Sequence, residues 1–180
     1  MRHPLEKFRH CPVCGSEHFE EHDVKSKQCR DCGFIYYANA AASTAAFIMR
    51  ADGCLLVARR GKDPARGTLD LVGGFADMGE TVEEGMLREI REESGLVLYR
   101  PRYLFSIPNQ YEYSGMTIHT LDLFFLLQAP EQAAPKAGDD ASELMWIPLD
   151  EVRPELFGLK SIRQGVEHFI VKKSEFLQYI

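Results

Sequence analysis

The chain has 180 residues, with 21 Lys and Arg against 27 Asp and Glu, giving a formal net charge of −6. Its length suits one full domain with a small appended one, and a hydrophobic content of 45% supplies a packed core and excludes wholesale disorder. The acidic balance excludes a non-specific nucleic-acid backbone binder, which would be basic, but leaves room for a small basic pocket. The longest apolar run, Leu121 to Leu127, is broken by Asp122 and falls well short of the ~18 residues of a membrane span. The opening MRHPLEKFRH lacks the apolar stretch of a signal peptide. The expectation is a cytoplasmic protein with reduced thiols and no membrane partner.

Residues 1–38 carry four of the five cysteines, as Cys11-x2-Cys14 and Cys29-x2-Cys32, each pair followed by a glycine, Gly15 and Gly33. Two close CxxC pairs predict a tetrahedral site for Zn²⁺, to which soft thiolates are suited. A segment of ~35 residues buries too little apolar surface to fold unaided, so the metal would supply the folding energy. Two disulfides or a redox CxxC are the competing readings. Short extended stretches near Lys25–Gln28 and Phe34–Tyr37 would pair around the metal. Cys54 reads as a small buried hydrophobe.

A junction at Asn39-Ala40-Ala41-Ala42 opens a strand-rich body, residues 39–180. Ser43–Met49 predicts a strand, Asp52-Gly53 a hairpin turn and Cys54–Ala58 the returning strand. Arg59 to Gly67 predicts a charged loop, in which Arg59, Arg60, Lys62 and Arg66 form a basic patch suited to phosphates or simply solvated. Leu69–Val72 predicts a short strand ended by Gly73-Gly74. The capping box Thr81-Val82-Glu83-Glu84 starts a helix that stops at Gly95. Strands follow near Val97–Ser106 and Thr117–Leu127. An exposed loop over Gln128–Ser142, a strand at Leu144–Ile147 and an amphipathic helix at Ser161–Val171 complete the chain.

The Thr81–Gly95 helix carries the candidate chemistry. At about 100° per residue, Glu89, Glu92 and Glu93 fan across one side, while Val82, Met86 and Ile90 form an adjoining apolar face. Like charges so close repel, and a divalent cation such as Mg²⁺ or Mn²⁺ would relieve them. Composition alone favours a solvated acidic face. Arg88 lies four residues before Glu92 and can hold that side of the helix.

The order of residues is more specific. Gly74-x5-Glu80-x7-Arg88-Glu89-Ile90-x-Glu92-Glu93-x-Gly95-Leu96 resembles the Nudix box at every signature position. The resemblance implies an α+β Nudix fold, a mixed β-sheet between helices, here preceded by a small zinc ribbon. It implies that the Gly73 carbonyl, Glu89, Glu92 and Glu93 are ligands of Mg²⁺ or Mn²⁺, joined by a distant carboxylate for which Glu143 fits. It names Glu92 and Glu89 as candidates for the general base. The implied reaction is hydrolysis of a nucleoside diphosphate linked to another moiety.

A zinc ribbon directly before such a domain resembles the NADH pyrophosphatase branch, which also decaps NAD-capped RNA. In that branch an aromatic matching Phe75 packs on nicotinamide, and a motif S-Q-P-W-P-F-P-x-S builds the adenine side of the pocket. Here that window reads Ser106-Ile107-Pro108-Asn109-Gln110-Tyr111-Glu112-Tyr113-Ser114, keeping both serines, one proline and an aromatic. Tyr111 could still stack on a base. The expected substrate-binding residues are therefore Phe75, Tyr111, Arg60 and Arg66, although core or strand packing would account for the two aromatics equally well. The expected partner is a small nucleotide such as NADH or NAD, with ADP-ribose or a nucleotide sugar as the alternative. A non-catalytic nucleotide-sensing or interaction module is the reading from another class. Nucleic acid is expected only as capped RNA ends, and the resemblance is compatible with a homodimer.

Overall fold

The protein is described by a computed structural model covering residues 3–138 and 141–179. It divides into two compact units, Met1–Ala41 with Gln110–His119, and Ala42–Asn109 with Thr120–Ile180.

The first unit is built on a three-stranded antiparallel sheet of β1 (Phe19–Asp23), β2 (Ser26–Cys29) and β3 (Ile35–Tyr37) in that order. The turn between β1 and β2 is held by the Lys25 amide donating to Asp23 Oδ1 at 2.8 Å. Buried Cys11, Phe19 and Cys29, with Phe8 and Phe34 against them, make a very small core. A turn at Ser114-Gly115 contributes a hairpin tip, and Lys7 Nζ donates to the Gly115 carbonyl.

The second unit is a mixed sheet between helices. Its sheet is formed by β4 (Ala41–Arg50), β5 (Cys54–Arg60), β6 (Leu69–Asp70), β7 (Arg102–Tyr113), β8 (Met116–Ala129) and β9 (Ala141–Pro148), of which the stretch Gln110–His119 of β7 and β8 is grouped with the first unit. The order is β6-β5-β4-β8-β7, and β9 pairs antiparallel with β5 from Cys54↔Pro148 to Arg60↔Ala141. Helix α1 (Val82–Ser94) lies between β6 and β7 in the chain, and α2 (Lys160–Val171) and α3 (Lys173–Phe176) follow β9.

Strand alternation divides the core in two. Ala45, Phe47, Met49, Leu55, Val57, Phe124 and Leu126 face α2 and its Ile162, Val166 and Phe169. Their neighbours Ala46, Ile48, Leu56, Phe125 and Leu127 face the other way, against Met86 and Ile90 of α1. A sheet buried on both faces needs apolar residues at consecutive positions, and that is why β4 and β5 read as continuous apolar runs. On the α2 side Phe47 stacks on Phe169 with centroids 4.0 Å apart.

Several elements differ from the sequence expectation. β1 was not anticipated, because FEEHD has one buried residue and four exposed ones. Arg59 and Arg60 are not in a loop but end β5, where pairing with β6 and β9 extends the strand. The predicted Leu69–Val72 strand keeps only Leu69–Asp70, with Val72 bridging singly to Ala46. The predicted Val97–Ser106 strand is displaced to Arg102–Tyr113, so the Ser106–Ser114 window is strand ending in a tight turn. Cys54 is half-buried rather than buried, lying at the end of β5. Within the predicted Gln128–Ser142 loop, β8 runs to Ala129 and β9 starts at Ala141, while Asp139 and Asp140 lie outside the described residues. Among the described residues no helix is long and apolar enough to cross a membrane.

Candidate active site and cysteine centre

The loop–helix segment from Gly73 to Gly95 is set by local rules. Thr81 caps α1 by accepting from the Glu84 amide at 3.2 Å, and Glu84 returns the bond by accepting from the Thr81 amide at 2.8 Å. Gly95 closes the helix in the left-handed conformation, its amide donating to the Arg91 carbonyl. Met86 and Ile90 are fully buried, so α1 presents its opposite side outward.

Arg88 organises that outer side. Its Nη2 donates to Glu80 Oε1 at 2.7 Å and to the Phe75 carbonyl at 3.0 Å. Its Nε reaches Glu80 Oε2 at 3.1 Å. Its Nη1 donates to Glu89 Oε1 at 2.8 Å and Glu92 Oε2 at 3.1 Å. One planar guanidinium thus ties the loop to two of the three candidate glutamate ligands on α1, a geometry no lysine reproduces. The third, Glu93, accepts from the Gly73 amide at 3.0 Å through Oε2.

Gly73 is a steric requirement of the turn, whereas a side chain at Gly74 would displace the rotatable end of Glu89. A Cβ on Gly73 would collide with the Thr44 carbonyl, and one on Gly74 would sit 2.5 Å from the Glu89 carboxyl carbon. The Gly74 carbonyl is in turn held by the Thr44 amide at 2.8 Å. Thr44 escaped the sequence reading because nothing local marks it; it meets the turn only across the fold. Burial pushes the Glu89 carboxyl up from its ordinary value despite Arg88, whereas Arg88 and then the Asp77 amide hold Glu80 down. Glu89 is half-buried and paired with Arg88, and the carboxylates of Glu89, Glu92 and Glu93 are hard oxygen donors of the kind a divalent cation takes, although among the described residues they do not converge as closely as the four sulfurs below.

Arg88→Ala should therefore lower the melting temperature by several degrees. Glu80's folded pKa lies below its unfolded one, so its stabilisation is present above the ordinary carboxylate range. It is lost as pH falls through the lowered folded value. The gap between wild type and Arg88→Ala in urea melts should accordingly be wide near neutrality and narrow in acid.

The remaining predicted residues are placed as follows. Glu143 lies within β9, opposite Arg59 on β5, and pairs with it at 3.2 Å. Arg60 is turned to the fold: Nη1 pairs with buried Asp70 and Nε donates to the Pro64 carbonyl at 2.7 Å. Arg66 is exposed on the loop after β5. Phe75, 46% exposed, follows the glycine turn. Tyr111 belongs to the first unit, with its ring stacked on Tyr113 at 6.3 Å.

The cysteines form a second centre, in the first unit. The four sulfurs lie within 4.8 Å of one another, the one such donor group among the described residues. Each CxxC pair makes the same turn, with Gly15 N–H donating to the Cys11 carbonyl at 2.9 Å and Gly33 N–H to the Cys29 carbonyl at 3.0 Å. The Cys32 amide points at Cys29 Sγ and draws its thiol down to about 6, while hydrogen bonds among the sulfurs and burial hold Cys14 and Cys32 up. Four convergent sulfurs fit one soft tetrahedral cation.

Comparisons with known proteins agree with this geometry. The chain is 29% identical over 120 residues to the NAD-capped RNA hydrolase NudC of Vibrio cholerae, covering 67% of this chain and 44% of that protein. It is 27% identical over 169 residues to NudC of Haemophilus influenzae, covering 93% and 62%. An ADP-ribose pyrophosphatase of Methanocaldococcus jannaschii is 36% identical over 107 residues, covering 58% and 60%. The chain thus spans less than two thirds of the length of these relatives. Among solved structures, a MutT NUDIX hydrolase from Burkholderia pseudomallei aligns with a TM-score of 0.61 at 28% identity, covering 72% and 97%. A NUDIX hydrolase from Nitrosomonas europaea, 18% identical, shares the fold with a TM-score of 0.68 over 93% of both chains. The family model for the NUDIX domain matches residues 40–169, which hold the glycine turn, Arg88 and all three glutamates, and the chain belongs to the NUDIX family.

Proposed function

We propose that this chain hydrolyses the pyrophosphate bond of a nucleoside diphosphate linked to another moiety, with a dinucleotide such as NADH or NAD as favoured substrate. The observation that carries this reading is the gathering of Glu89, Glu92 and Glu93 onto Arg88 and the Gly73-Gly74 turn. The Gly73 carbonyl, Glu89, Glu92 and Glu93, with Glu143, would hold Mg²⁺ or Mn²⁺. That cation would neutralise charge on the diphosphate and make water a better nucleophile. Water adds to one phosphorus, the bridging P–O bond breaks, and two phosphate monoesters leave. Glu92 and Glu89 are the candidate acceptors of the water's proton. Arg66 would meet a phosphate, with Arg60 bracing its loop through Pro64, and Phe75 would offer its exposed ring to a base. The cysteine centre would hold Zn²⁺ and serve the fold, and four unpaired thiols suit the reducing cytoplasm.

The dinucleotide draws support from the NudC relatives and from a cysteine centre ahead of the family domain. NAD-capped RNA ends present the same dinucleotide. ADP-ribose is the second reading, favoured by the higher identity to the archaeal ADP-ribose pyrophosphatase and by the altered Ser106–Ser114 window.

The test is turnover of NADH, NAD, ADP-ribose, ADP-glucose and diadenosine polyphosphates with Mg²⁺ and with Mn²⁺. Highest kcat/KM on NADH or NAD supports the first reading, and on ADP-ribose the second. Nucleotide binding without turnover of any substrate would mark a non-catalytic module.

A further inference from the structure

Two of the proposed metal ligands sit where a helix is least secure. Glu92 and Glu93 lie in the last turn of α1, whose final carbonyls have no partner within the helix and whose residues fray most readily. The structure supplies partners from far along the chain. The Gly138 amide donates to the Glu93 carbonyl at 2.9 Å, and the Lys136 amide donates to the Ser94 carbonyl at 2.9 Å. The segment delivering them is itself anchored. Its turn is closed by the Ala133 amide on the Pro130 carbonyl at 3.0 Å, and Ala133 packs against the core on the α1 side.

The approach leaves no room for a side chain. A Cβ on Gly138 would lie 2.5 Å from the Glu92 carbonyl oxygen and 3.1 Å from Glu93 Cα, both backbone atoms that no rotamer change can move aside. Glu93 is consequently gripped twice, through its carbonyl by Gly138 and through its carboxylate by the Gly73 amide. Neither grip uses a residue of the box's own helix.

We infer that 130–138 is a strap that positions Glu92 and Glu93 for cation binding, with Gly138 and the Lys136 amide as its positioning elements. This rests on the reading of the glutamates as metal ligands. Gly138→Ala must push the strap or the helix end away. Lys136→Pro removes the amide donor to Ser94 and sets a ring carbon in its place, so that grip is lost by a different route. Losing a hydrogen bond that fixes a ligand's backbone should weaken the cation site by about fivefold to tenfold.

The experiment is direct Mn²⁺ binding to the full chain, by calorimetry or electron paramagnetic resonance, on wild type, Glu93→Gln, Gly138→Ala and Lys136→Pro. Amide hydrogen exchange at residues 136 and 138 is read alongside. The expected result is a raised Mn²⁺ Kd in both strap variants, and wild-type amides at 136 and 138 that exchange slowly although they lie in a loop. Turnover should recover at excess Mn²⁺ at a temperature where melts show both variants fully folded without the cation, which separates a weakened site from general loss of stability. If Glu93→Gln leaves Mn²⁺ binding unchanged, the metal-ligand reading fails and the strap inference with it. If Glu93→Gln weakens binding and neither strap variant does, or if the two amides exchange at the unstructured rate, the strap inference alone is overturned.

Discussion

Glu93→Gln is expected to lower kcat at saturating Mg²⁺ by ~10²-fold or more, while the circular dichroism spectrum and melting temperature stay close to wild type. The substitution separates charge from structure. Glu93 Oε2 accepts from the Gly73 amide, and a glutamine carbonyl oxygen accepts that bond equally well. The glycine turn and the end of α1 therefore keep their positions, and only the negative charge is removed. Glu92→Gln works in the same way, because its amide oxygen can still accept from Arg88 Nη1. A group whose charge acts mainly in the transition state appears in kcat rather than in KM. Wild-type turnover by either variant at saturating cation would overturn the assignment of these glutamates.

Cys14→Ser, or a strong chelator applied to the wild type, is expected to unfold residues 1–38 while the core of the second unit stays folded. The ribbon's own core is Cys11, Phe19 and Cys29 with Phe8 and Phe34, two of them members of the sulfur cluster. Such a core contributes too little on burial to offset the entropy of ordering three short strands. The metal must supply the difference, and removing one thiolate of four removes most of it. The second unit has two extensive buried clusters of its own and should melt separately, giving two transitions where the wild type has closer ones. Elemental analysis should find about one zinc ion per chain. Zinc-free protein as purified, with the four thiols paired as disulfides, would overturn the site.

How much of this was legible beforehand follows from the range over which each feature is decided. The cap at Thr81, the stop at Gly95 and the apolar face of Met86 and Ile90 are local, and they stand where the sequence places them. Each CxxC turn is also local, closing on its own glycine, although the four sulfurs meet only because β1, β2 and β3 pair. Arg88 was legible only in part. Its bond to Glu92 follows from helical spacing, but its bonds to Glu80 and the Phe75 carbonyl require the preceding loop to fold back over the helix.

Other features were decided by pairing between distant segments. The ends of β5 and β7 depend on which strands lie beside them, so Arg60 became a strand residue paired with Asp70 instead of a loop cation. Glu143 shows the same effect, brought opposite Arg59 by the register of β9 on β5. The sequence by itself determined the chemistry available: four thiols, three glutamates on one helix and the arginine among them. Only the tertiary structure decided how that chemistry is held, because Thr44 under the glycine turn and Gly138 at the helix end act through backbone groups that carry no signature in residue type.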